Sequence, residues 1–75
     1  MSNEIRVALK ELADSREDGK TFCPSEAARK VSDDWREKMD EVRREAKEMG
    51  LEALQDGEPV DPVAARGPIR LRWPQ

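Results

Sequence analysis

The spacing of apolar residues changes once along this chain, and that change limits what it can fold into. Ile5, Ala8, Leu9, Leu12 and Ala13 recur at i, i+3, i+4, i+7 and i+8, the stripe of an amphipathic helix. Trp35, Met39, Val42, Ala46 and Met49 form a second stripe, all within about 40° of Trp35 at a helical advance of about 100° per residue. Near the other end Ile69, Leu71 and Trp73 alternate with Arg70 and Arg72, the period of a half-buried strand. Helices come first and a strand comes last, and that strand needs a partner.

Turn and cap residues punctuate these segments. Ser2 or Asn3 is expected to cap a first helix, because a side-chain oxygen there accepts from free backbone N–H groups. The helix should fade by Arg16, where SREDGK with Gly19 reads as a turn. Lys20–Phe22 is short and partly β-favouring, a candidate for a very small strand. Pro24 starts a second helix, since proline is tolerated in the first turn, and Ala27, Ala28 and Val31 are its packing face. Ser32–Asp34 breaks that helix and caps a third, which runs from Trp35 to a left-handed C-cap at Gly50. Leu51–Gln55 has helical propensity but lies between Gly50 and Asp56-Gly57, and it is the only available partner for the final strand. A loop of 13 residues, DGEPVDPVAARGP, then separates the two, and a loop that long in a small domain is often functional.

Helix, short strand, helix, turn, helix, strand, long loop, strand is the order of a winged helix-turn-helix, mainly α with a small β-hairpin wing. A plain three-helix bundle with a loose tail is the alternative. At 75 residues the chain is expected to be one domain, 1–75, with a small core and marginal stability. Its charged fraction is 41% against 36% hydrophobic, yet the regular apolar spacing argues for a fold rather than disorder.

Chemistry is constrained by what is missing. With no histidine and only Cys23 as a thiol, a structural zinc site and histidine-based acid–base or nucleophilic catalysis fall away. The four glycines are scattered and make no phosphate loop. No catalytic residue, metal, cofactor or small-molecule substrate is therefore expected. A lone cysteine suits a reducing cytoplasm. No apolar run approaches bilayer length, and the first ten residues lack a signal-peptide pattern, so no membrane association is expected.

A resemblance supports the winged-helix reading. The runs CPSEAAR, WREKMDEVRREA, DGEPVDP and RGPIRLR, with Trp35, Met39, Gly57, Asp61 and Gly67-Pro68-Ile69-Arg70 in combination, resemble a bacterial family of small uncharacterised proteins, a domain of unknown function. The resemblance extends from Ile5 to Arg72 and implies a winged-helix-like fold. It implies no activity.

The net charge of −3 is unevenly spread. Residues 1–32 balance, 33–50 carry seven acids and five bases, 51–62 carry four acids and no base, and 63–75 carry three arginines and no acid. On the third helix Arg36, Arg43, Arg44 and Lys47 lie on one flank and Glu37, Glu41, Glu45 and Glu48 on the other. Pairs such as Lys38–Glu41 and Arg44–Glu48 offer relief to the stacked glutamates. Two functions follow. If the third helix enters the major groove, Arg36, Arg43, Arg44 and Lys47 meet double-stranded DNA and Arg66, Arg70 and Arg72 add a wing contact. Only about three to five phosphates would be neutralised, so binding would be weak and salt-sensitive. The rival is a protein–protein interaction module, whose partner is another protein or a second copy of the chain. It is motivated by the acidic balance.

The other polar residues are read as structural. Glu26, Arg29 and Asp61 are candidates for partly buried ion pairs, with Arg43 or Asp61 within reach of the first two and Arg70 within reach of Asp61. Cys23 is read as a small residue at a helix start. Trp73 is expected to close the core, or to mark a contact surface if exposed.

Overall fold

A computed structural model describes residues 3–16 and 20–74. Three helices, α1 (Asn3–Ser15), α2 (Pro24–Val31) and α3 (Trp35–Glu48), precede three short strands, β1 (Glu52–Gln55), β2 (Glu58–Val60) and β3 (Arg70–Arg72). The sheet is antiparallel in the order β2-β1-β3. With α2–turn–α3 as the helix-turn-helix and the hairpin beyond it as the wing, this is a winged-helix arrangement. No helix among the described residues is long and apolar enough to cross a membrane.

The α1 stripe folds as its spacing predicts: Ile5, Ala8, Leu9, Leu12 and Ala13 are all buried. A cap at Ser2 and the turn at Gly19 lie outside the described residues, and Asn3 already belongs to the helix. The small strand expected at Lys20–Phe22 contracts to a single bridge. Phe22 N–H donates to the Leu71 carbonyl at 2.9 Å, and Leu71 N–H returns to Phe22 at 2.8 Å. This bridge carries the fully buried Phe22 ring into the core beside Leu71. Burying a ring of that size stabilises by roughly 1.5–3 kcal/mol.

Pro24 opens α2. The Cys23 backbone N–H donates to Glu26 Oε2 at 2.9 Å, the returning half of a capping box. Ala27 and Ala28 are fully buried, so α2 approaches its neighbours closely. Gly50, at φ 81°, ends α3 in a Schellman motif. Leu51 N–H reaches the Ala46 carbonyl at 3.0 Å and Gly50 N–H reaches Lys47 at 3.1 Å.

Three expectations need correction. The α3 stripe is rotated. Val42 and Ala46 are fully buried and Glu45 joins them, whereas Trp35, Met39 and Met49 are only partly buried at the core's edge. Leu51–Gln55 supplies the expected partner strand, over Glu52–Gln55, but the long loop after it is not structureless. Asp56 (φ 52°) and Gly57 (φ 82°) both take the left-handed conformation of a tight hairpin turn, which returns the chain as β2. Pro59 is tolerated there because β2 is an edge strand. Trp73 does not close the core. It is 36% exposed, and its Nε1 donates to Asp14 on α1 at 2.7 Å.

Candidate interaction face on the third helix and wing

The solvent side of α3 carries Arg36, Glu37, Asp40, Arg44, Lys47 and Glu48, all exposed. Acids and bases alternate across it. The β1–β2 hairpin ends in an exposed Asp56-Gly57-Glu58 tip, so the wing extremity is acidic. An open groove beside α3 is lined by Glu41, Arg44, Glu45, Lys47, Glu48 and the half-exposed Val63.

Four of the seven basic residues expected at a nucleic-acid contact have their cationic heads engaged by the chain itself. Arg43 donates through Nη1 to the Ala65 carbonyl and through Nη2 to the Gly67 carbonyl, both at 2.7 Å. Its guanidinium fork thus fastens the segment after β2 to α3. Lys47 Nζ binds Asp61 Oδ2 at 2.7 Å. Arg70 donates to Thr21 Oγ1 at 3.0 Å and to the Thr21 carbonyl at 3.1 Å. Arg72 pairs with Glu52, its direct cross-strand partner, with Nε to Oε1 at 2.8 Å. Arg36, Arg44 and Arg66 make no ion pair with a described residue.

The residues read as structural pairs have partners other than those expected. Asp61 takes Lys47 rather than Arg70. Its Oδ1 also accepts the N–H groups of Val63 (2.8 Å) and Ala64 (3.2 Å). The Lys47 hydrogen bond, then those two backbone donors, hold its carboxyl below the ordinary value of 3.8. Glu26 takes Arg16 at 2.8 Å. Arg29 makes no ion pair among the described residues. Its guanidinium lies over the Trp35 ring, 4.4 Å from the centroid, and Arg36 lies over the same ring at 4.5 Å. Each such contact contributes about 0.5–1 kcal/mol at an exposed position.

The acidic flank of α3 does not simply face solvent. Glu45 is 2% exposed and receives Arg6 Nε from α1 at 2.6 Å, while Arg6 Nη2 reaches Glu48 at 3.1 Å. The local relief expected from Lys38–Glu41 and Arg44–Glu48 gives way to this pairing between helices. Arg6, Arg16, Thr21 and Gln55 were not singled out by sequence reasoning. Gln55 Nε2 donates to the carbonyls of Arg66 (2.5 Å) and Pro68 (3.3 Å), closing the base of the wing. The one signal for Arg6 is its place directly beside Ile5 on the margin of the apolar stripe.

The fold and the motifs from Cys23 to Arg72 can now be set beside known families. The chain belongs to the family described as "Protein of unknown function (DUF3253)". The family model matches residues 2–74, nearly the whole chain. A comparison with curated proteins returns no match. Membership in the DUF3253 family brings no activity with it, so the functional reading rests on the geometry of the α3–wing face.

Proposed function

We propose that this DUF3253 chain is a noncatalytic interaction module that docks a protein partner through the outer face of α3 and the wing. The reading places it in the cytoplasm, where its single thiol stays reduced. One observation carries it: Arg43, Lys47, Arg70 and Arg72 are bound within the chain, to carbonyls, a hydroxyl and carboxylates. A phosphate contact would have to displace those partners. The alternating charges left on α3 and the acidic hairpin tip suit a polar protein surface better than a phosphate lattice. A photo-crosslinking residue at position 44 should trap a discrete protein adduct in cells, and the same residue at position 20 should not. Equal or absent adducts at both positions would overturn the reading.

Double-stranded DNA through α3 and the wing is the second reading, supported by Arg36, Arg44 and Arg66, whose side chains form no ion pair with a described residue. Fluorescence anisotropy of a labelled random duplex at low and near-physiological salt separates the two. Saturable binding that weakens with salt and disappears on Arg36→Glu with Arg44→Glu would establish DNA as the ligand.

A further inference from the structure

We infer that Arg29, Trp35 and Arg36 form a preorganised site for a carboxylate side chain of the partner protein. This deepens the proposal above and rests on the protein-partner reading.

Arg29, Arg36, Arg44 and Arg66 make no ion pair with a described residue, but of these unpaired arginines only Arg29 and Arg36 rest on an aromatic ring. Arg6, Arg16, Lys30, Lys47 and Arg72 are in ion pairs, and Arg43 and Arg70 are held by carbonyls. Arg29 and Arg36 are both exposed, and neither donates to a described residue. They are nonetheless positioned, because both guanidiniums lie over one half-buried indole at 4.4 and 4.5 Å. Trp35 packs against the core, so the ring is anchored from below. Stacking orients a guanidinium plane and leaves its N–H fork for an acceptor. A cation already restrained loses little freedom when an anion arrives, which favours affinity.

Nearby acids define the kind of anion. Asp33, Asp34 and Glu37 are exposed beside the site and make no ion pair with either arginine. Their charge weakens long-range attraction for any run of negative charge, phosphates or carboxylates alike, so the site suits one carboxylate rather than a polyanion. What remains is a short-range match, in which a carboxylate accepts two parallel N–H bonds at contact distance. Trp and Arg together are also the residue types most enriched where interfaces concentrate their binding energy.

Trp35 reports on its own site. In the full chain carrying Trp73→Phe it is the sole tryptophan, and a synthetic peptide with a single glutamate among neutral polar residues is the probe. A saturable change in Trp35 fluorescence is expected, weakening with salt. Affinity should fall about tenfold in Arg29→Ala with Arg36→Ala, the loss of one bidentate contact. Arg29→Lys with Arg36→Lys keeps the charge and loses the fork, and should weaken binding as well. Far-UV circular dichroism verifies the fold of each variant. No change with the peptide, equal binding in the Lys variant, or a response to random duplex DNA but not to the peptide would each overturn the inference. A discrete adduct at position 44 together with a silent peptide titration would discard this site while leaving the interaction module standing.

Discussion

Arg6 on α1 holds the buried carboxylate of Glu45 on α3, with Nε and Oε1 2.6 Å apart. The pair links two helices across a sequence separation of 39 residues and puts a charge at the margin of the core. Removing one partner of such a pair leaves the other charge desolvated and uncompensated. Arg6→Ala should therefore destabilise the fold by about 3 kcal/mol, the low end for a buried pair because the Arg6 side chain is 34% exposed. Arg6→Met combined with Glu45→Leu should recover most of that loss. Urea denaturation of the single and double variants measures both, and equal destabilisation in the two would mean the pair's charge is not the cause.

Arg43 is expected to act as a fastener for the wing. Its two hydrogen bonds end on the carbonyls of Ala65 and Gly67. Arg43→Ala should cost about 2 kcal/mol. It should also speed amide hydrogen exchange in residues 61–69 more than in α1. Arg43→Lys keeps the charge but not the fork geometry, so exchange there should also rise. Uniform exchange changes across the whole chain would count against a local role.

Stability should fall in acid through Asp61 and Asp14. Hydrogen bonds from Lys47, Val63 and Ala64 lower the Asp61 pKa, and those from Lys10 and Trp73 lower that of Asp14. Both groups release their protons more readily when folded than when unfolded. Their contribution is fully present above the ordinary value of 3.8 and is lost as pH falls through the lower folded values. The urea midpoint should hold from about pH 6 to pH 5 and then drop. Asp61→Asn with Asp14→Asn should flatten that drop, and an unchanged acid slope in the double variant would refute the assignment.

Gly57 stands at φ 82° with open space where a Cβ would lie, so any cost of substitution there is conformational. Gly57→Ala should destabilise by about 1–2 kcal/mol. Gly57→Asn should cost less, because asparagine tolerates the left-handed region. Thermal unfolding of the two variants gives the order, and equal midpoints would show that the hairpin turn can relax.

The residues that sequence reasoning placed well are those whose role is set by near neighbours. The α1 stripe is buried in full, and Pro24 and Gly50 begin and end helices through backbone geometry that each residue carries with it. β2 was missed although Asp56-Gly57 is a hairpin signal, because Glu58–Val60 has no apolar alternation and contains proline. It is a strand by pairing with β1 rather than by propensity. Trp35 falls on the apolar stripe of α3 by its angle alone. Its ring is only partly buried at the core's edge, and tertiary packing brings Arg29 of α2 onto it, whereas Arg36 is its neighbour on α3.

By itself the sequence determined the helices, their ends, the final strand and the winged-helix order, because periodicity and capping act over a few residues. Only the tertiary structure decided which charges remain available. Arg43 and Arg70 are bound by carbonyls, Lys47 and Arg72 by carboxylates, and Arg29 and Arg36 rest on an indole. Long cationic side chains choose among several acceptors within reach, and that choice depends on which distant segments packing brings alongside them.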